Sequence, residues 1–524
     1  MTEQNNSYNS GETRGMSPQM PMMPPPTGRL ARWGNRMMAG KAFNLTTLPE
    51  WFAAYAVGMY VVALLGVNII NSSYAIEWYF ALFGIVWVAG FFFLSVKFSQ
   101  EWSERRIRKP KVFEKKLWVT GLLLQISYAI FSHYFYLNMT GQPYEFETAD
   151  SLEYVQTALW FSEEYDNGQF WAVMQHMSRT SFSDLGFPLF IFPIVRLFGV
   201  DTAPLFIRIV NALINVGTAV LIYRITSRAM NETASRIAAI FCLLHPVLIC
   251  YVGMTLKESL MTFLVVLFVN YADKLMRNKR YSFSSIAPMV LSGIALFMFR
   301  TVMGMVVFMA LFFALVMMQN RIVSIGKKIF LGTMIAGILL FSVSEDIKRE
   351  IEQVTQTDVR EEQETSLTKR YGTEGGKKTG NMFAKYAGTA VFAPLIFTIP
   401  FPTMVNAVEG QEDMRMIHGG NWVRNVISGF VIFAMFMLLL SGDWRKYTLP
   451  LAVLLGYLLV LVFSSFAHSL RFHIPVMPFE MMFAAYGITN MRKKHRNWYL
   501  IWCVFMVVAC FAWNWFKLAG RGLA

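Results

Sequence analysis

Charged side chains are scarce in this sequence. Asp, Glu, Lys and Arg make up 15% of its 524 residues, 55% are hydrophobic, and the mean hydropathy is +0.41. A soluble domain carries about a quarter charged residues, so a water-soluble globular fold is excluded. Cysteine is scarcer still. Cys242, Cys250, Cys503 and Cys510 all lie in apolar runs, with no Cys-x-x-Cys and no zinc spacing. That excludes a disulfide frame and leaves small buried hydrophobes. Alternating strand patterns are also missing. The apolar runs are continuous, which excludes a membrane β-barrel.

What the chain does have is a series of apolar runs, each long enough to cross a bilayer as a helix. They fall at 52–71, 76–96, 117–138, 204–224, 234–252, 255–273, 285–300, 301–319, 328–343, 423–441, 447–466, 472–490 and 498–516. The expected fold is an all-α polytopic membrane protein with about thirteen transmembrane helices, because helices satisfy their backbone groups internally in lipid.

The formal net charge of +14 does not point to nucleic acid. The basic residues sit in short loops between apolar runs, as the positive-inside rule requires. Lys97, Arg105, Arg106, Arg108, Lys109, Lys111, Lys115 and Lys116 form one cluster. Lys274 to Arg280, Arg321 with Lys327 and Lys328, Arg445 with Lys446, and Arg492 to Arg496 form the others. A cytoplasmic N-terminus puts all of them on the cytoplasmic side. No apolar signal-peptide core follows the start, so residues 1–45, polar and then Met/Pro-rich, read as a disordered cytoplasmic tail.

The expected organisation follows. Residues 46–116 hold two transmembrane helices and a basic loop. Residues 117–343 hold the core, including a long first outer loop, 139–203, containing short helices. Residues 344–422 form a second outer segment, and 423–524 the last transmembrane helices. Within the second outer segment, Val391-Phe-Ala-Pro-Leu-Ile-Phe-Thr-Ile-Pro-Phe-Pro402 carries three prolines in a run too short to span comfortably, which suggests a re-entrant or interfacial element.

The first outer loop concentrates carboxylates: Glu145, Glu147, Asp150, Glu153, Glu163, Glu164, Asp166 and Asp184. Charged groups at span ends are functional candidates. Lys257 and Glu258, then Arg300, then His468, Arg471 and His473 all fall at outer ends in this topology. A carboxylate facing phosphate-binding cations suits base-assisted displacement of a phosphate leaving group. The base takes a proton from an attacking hydroxyl, and arginine stabilises the departing phosphate.

Four stretches carry a resemblance. They are Asp150-Ser-Leu-Glu-Tyr154-Val-Gln-Thr-Ala158, Gly186-Phe-Pro188-Leu through Phe198-Gly199, His245-Pro246 with Tyr251 and Lys257-Glu258, and Arg471-Phe-His-Ile-Pro475-Val-Met-Pro478. In that order they resemble the GT-C membrane glycosyltransferases, the superfamily of protein mannosyltransferases and aminoarabinose transferases, over about 117–490. The resemblance implies a polyprenyl-phosphate-linked sugar donor, inversion at the anomeric carbon and a site on the outer face. It implies Asp150 as base and Arg471 as a ligand of the donor phosphate, with Arg300, His468 and His473 beside it. Glu147, Glu153, Tyr154, Asp184, Tyr251, Lys257 and Glu258 would line the pocket or support it. The acceptor, a lipid, glycan or protein, stays open. No Trp-Trp-Asp motif occurs, which argues against an oligosaccharyltransferase. The expected location is the bacterial inner (plasma) membrane.

Each residue also has a plainer reading. An isolated Asp in an outer loop is ordinarily a solvated carboxylate; the later elements in order favour the catalytic role. Glu153 would fall at a capping-box position if Asp150 heads a helix. Arg471 reads equally as an anchor to lipid headgroups. His245 reads as a satisfied buried histidine. No cofactor is certain from the sequence, and a divalent cation stays open. Some GT-C members use a divalent cation and others rely on Arg and Lys, and the cations here lean toward no metal. The competing functions are a transporter or flippase for a lipid-linked saccharide and a polysaccharide polymerase or ligase. Transporters show internal repeats and midplane broken helices, and neither pattern stands out here.

Overall fold

In the computed structural model of the chain, the described residues are 46–180, 182–277, 283–317, 332, 395–406, 412–463, 469–519 and 523. They are overwhelmingly helical. The helices are α1 (Glu50–Ile70), α2 (Trp78–Glu101), α3 (Pro110–Thr140), α4 (Ala149–Asp166), α5 (Phe170–Thr180), α6 (Gly186–Ala229), α7 (Glu232–Leu244), α8 (Pro246–Val252), α9 (Glu258–Arg277), α10 (Phe283–Phe299) and α11 (Thr301–Met317). Next come α12 (Glu412–Met416), α13 (His418–Ser441), α14 (Thr448–Phe463), α15 (Leu470–His473), α16 (Met477–Thr489) and α17 (Arg496–Ala519). Among the described residues there is no strand, only a lone bridge between Ala75 and Val405.

Each expected run on described residues falls largely on helix; of the run 328–343 only Gly332 is described. Among the described residues, seven helical stretches are long and apolar enough to cross a membrane, or eight if α7 and α8, bent by 46°, form one span. The expected count is not reached by length and composition for three reasons. Helices α10 and α11 are apolar but 17 residues long. The run 472–490 is broken into the single turn α15, a 3-10 turn and the 13-residue α16. Helix α3 runs 31 residues but turns Gln125, Ser132 and His133 inward as buried polar groups. Gln125 donates to the Leu243 carbonyl and accepts from Asn215, which removes much of the cost of burial.

Local chemistry explains the boundaries. Proline opens α3 and α8, where its missing N–H is not needed. Asn231 caps α7 by accepting from the Ala234 amide at 2.7 Å. Gly199, at φ 73°, lets α6 bend sharply where other residues would be strained. The loop expected over 139–203 is therefore mostly ordered: α4, α5 and the first arm of α6 fill it.

Side-chain links sort the helix ends into two groups. Arg224 pairs with Glu114, Arg236 donates to the Trp102 carbonyl, Arg228 and Arg277 share Asp273, and Arg277 reaches the Lys446 carbonyl. One end of the bundle is thus basic. The starts of α4, α9 and α11 meet at the other end, which carries the candidate site. Helices α1 and α2 belong to the bundle, packing against α7, α13 and α17.

The segment 395–406 is irregular and mostly buried. Unpaired backbone carbonyls are costly inside a membrane protein, and helix side chains meet this need. Arg424 takes the Ile399 and Ile396 carbonyls, Asn425 those of Thr398 and Pro400, and Asn514 that of Pro402. Arg424 is fully buried and held by Glu480 at 2.9 and 3.0 Å.

Candidate functional site

The site is built where α4, α9 and α15 begin. Asp150 stands in the first turn of α4, whose N-terminal dipole favours a carboxylate. Helix α4 starts there because the backbone before it is fixed on both sides. Buried Glu145 accepts from the Ser151 hydroxyl, and the Glu147 amide donates to Asp413 at 2.9 Å. Glu258 occupies the first turn of α9. Arg471 lies in the turn α15 and spans the two, with Nη1 on Asp150 and Nε on Glu258.

The three groups differ in access. The Asp150 side chain is 45% exposed, Arg471 25% and Glu258 0%, so Asp150 is the carboxylate an outside molecule can reach. The second Glu258 oxygen is buried and has no hydrogen-bond partner among the described residues. Burial alone would lower the Arg471 pKa, but the charges of Glu258, Tyr251 and Asp150 outweigh it and raise the value, fixing the guanidinium as a cation.

Two further cations adjoin this pair. Lys257 is buried, joined to Asp184 and set 5.8 Å from the Tyr154 ring centroid. Tyr154 packs edge-on against Phe187 at 5.2 Å, tying α4 to α6. Burial, followed by the charge of Glu258, pushes the Tyr154 hydroxyl above its usual range. Arg300 stacks its guanidinium 4.4 Å from the Phe472 ring and donates to the Tyr457 hydroxyl at 3.1 Å. Gly186 lets α6 start against the end of α10, since a Cβ there would meet the Met298 carbonyl at 2.8 Å.

The structure thus brings Asp150, Arg471, Glu258, Lys257, Asp184, Tyr154 and Arg300 to one mouth. Tyr251 lies within the electrostatic reach of Glu258 and Arg471. Glu153 is exposed on α4 and forms no capping box. Glu147 is exposed and contributes its backbone amide. His473 is not brought to the mouth. Two positions from Arg471 on a helical turn, it points the other way, fully buried, with Nδ1 2.8 Å from Arg424. His468 lies outside the described residues. His245 is buried against Phe91 as expected of a core histidine, but its ring nitrogens have no hydrogen-bond partner among the described residues. No three His, Cys, Asp or Glu side chains converge as a metal site among the described residues. The charge between Asp150 and Glu258 is the Arg471 guanidinium.

Several structural partners escaped the sequence reading. Arg208 on α6 is buried and donates to the Pro143 carbonyl at 2.7 Å, holding the start of the acidic loop. Asp413 anchors the same loop. Its Oδ1 is closed off from solvent, and burial, reinforced by Glu145 and Glu147, pushes its carboxyl up to about 8. Arg208, Arg424 and Glu480 carried a usable signal: each is a charge inside an apolar run.

An all-helical membrane bundle with a charged mouth at one end defines a class, and the comparisons sharpen it. Residues 418–520 match the family model of the Alg9-like mannosyltransferase family, which has the GT-C fold. The match and the helical bundle support a GT-C-type polytopic membrane glycosyltransferase. The matched stretch contains Arg471, whereas Asp150 and Glu258 lie before it. No curated protein and no solved structure matches the chain.

Proposed function

We propose that this enzyme transfers a mannosyl or related sugar from a polyprenyl-phosphate-linked donor to a glycan, lipid or protein acceptor at the outer face of the membrane. The observation that carries this reading is the Arg471 guanidinium shared by a half-exposed Asp150 and a buried Glu258.

The donor phosphate binds Arg471, replacing the Asp150 carboxylate on Nη1. Glu258 stays on Nε and holds the guanidinium plane. Arg300 lies beside Phe472 and adds a second cation toward the phosphate. Asp150, released from its ion pair, faces the open mouth. It takes the proton of the acceptor hydroxyl as that oxygen attacks the anomeric carbon. The bond from that carbon to the phosphate oxygen breaks, and polyprenyl phosphate leaves with its charge balanced by Arg471. One displacement of this kind inverts the anomeric centre. Lys257 and Asp184 fix the wall formed by Tyr154.

The test is Asp150→Asn in purified enzyme with radiolabelled donor. Transfer should be lost while donor binding persists. A transporter or flippase would go on moving donor in that variant, and a polymerase or ligase would be told apart by its product. Retained transfer would remove Asp150 as the base.

A further inference from the structure

Helices α13 and α17 leave an apolar groove between them, far along the chain from the site and next to the basic end. Its volume is about 320 Å³, and Phe430, Phe433, Phe436, Trp498 and Trp502 form most of its wall. Phe436 and Trp498 are exposed, so the groove opens outward to lipid. Gly429 makes its depth possible: a Cβ there would strike the Trp502 indole at 2.7 Å.

Cations cluster at one end of this groove. Met491 and His495 line it, and Arg492, Lys493 and Lys494 lie between them in the chain, with Arg496 next. Lys493 and Lys494 are exposed. The stretch from Asn490 to Asn497 contains no carboxylate. Arg496 is already engaged, donating to the Tyr55 hydroxyl at 2.5 Å and stacking over the Trp51 and Tyr55 rings. An apolar slot below a row of cations is complementary to a lipid with an acyl chain below and a negative headgroup above. Basic pockets between transmembrane helices hold anionic headgroups in this way.

We infer that this groove is a binding site for an anionic glycerophospholipid, with an acyl chain along Phe433 and Phe436 and its phosphate at Lys493 and Lys494. The site is separate from the donor's. A donor whose phosphate sits on Arg471 would be at the opposite end of the bundle from Lys493.

Native mass spectrometry of the delipidated full-length protein tests this, with phosphatidylglycerol and phosphatidylcholine of equal chain length added at equal concentration. Phosphatidylglycerol should be retained at least tenfold better. Lys493→Glu with Lys494→Glu should abolish that preference. Ile432→Trp, which fills the groove, should reduce retention of both lipids with the thermal midpoint in lipid-free detergent unchanged. Asp150→Asn should retain phosphatidylglycerol like the parent. Equal retention of the two lipids, or an undiminished preference in the double lysine variant, would overturn the inference; undiminished retention in Ile432→Trp would remove the acyl slot.

Discussion

Arg471 holds the carboxylate of Asp150 across a sequence separation of 321 residues. The same guanidinium also holds the buried Glu258. In the proposed mechanism the ion pair with Asp150 is the contact that donor binding breaks.

Asp150→Asn keeps the size of the side chain and removes its basicity. Transfer should fall by about 10²–10⁴-fold, the usual contribution of a general base. Donor affinity should stay within a few-fold. Single-turnover transfer and equilibrium donor binding, measured on the same preparation, separate the two quantities. A matching loss in both would make Asp150 a binding residue instead.

Arg471→Lys retains a charge but not the planar fork that reaches Asp150 and Glu258 together. We expect kcat/KM for donor to drop at least tenfold with folding intact. Arg471→Ala should also destabilise the protein, by about 3–5 kcal/mol, because Glu258 is left buried without its counter-charge. Adding Glu258→Gln should restore the thermal midpoint but not activity. A midpoint that stays low in the double variant would show that the destabilisation has another source.

The Asp413 carboxyl lies above its ordinary range in the folded chain, at about 8 against 3.8. Because the folded state holds this proton more tightly, its contribution to stability is complete below about pH 4 and fades as pH rises through about 8. Ionised Asp413 would face Glu145 and Glu147. The thermal midpoint should therefore decline between about pH 4 and about pH 8 and level off above it, and Asp413→Asn should flatten that decline. Identical slopes in parent and variant would count against this assignment.

Arg424 and Glu480 form a fully buried pair that also binds the carbonyls of 396 and 399. Replacing Arg424 alone with Met should cost about 3–5 kcal/mol, because Glu480 keeps its charge and the carbonyls lose their donor. Replacing both Arg424 and Glu480 with Met should cost less than Arg424→Met alone. Denaturant melts in detergent report the difference. Equal losses in the single and double variants would mean that the carbonyl contacts outweigh the ion pair.

Gly487 on α16 faces the Phe430 carbonyl of α13, where any Cβ would collide with backbone. Gly487→Ala should separate these helices and lower the thermal midpoint, as small residues at close helix contacts imply. An unchanged midpoint would show that α16 can shift without loss.

Apolar run length determined the helical class of this protein, because a backbone in lipid must satisfy itself within each helix. The Lys/Arg loops likewise mark one end of the bundle as basic from the sequence alone. Glu258 and Arg471 were legible as candidates because charges at span ends are costly and rare, and Asp150 through the acidic outer loop and the resemblance its stretch carries. Three matters depended on the tertiary structure. It decided that Asp150 and Glu258 share one arginine, since helices α4, α9 and the turn α15 meet through packing no local pattern encodes. It sent His473 away from Arg471, a consequence of helical geometry in a four-residue turn whose existence the apolar run concealed. It also gave Arg424, Glu480 and Asp413 their roles, because burial and partners belong to the assembled chain. The sequence thus determined what kind of protein this is and which charges were worth attention, and packing alone decided which of those charges meet.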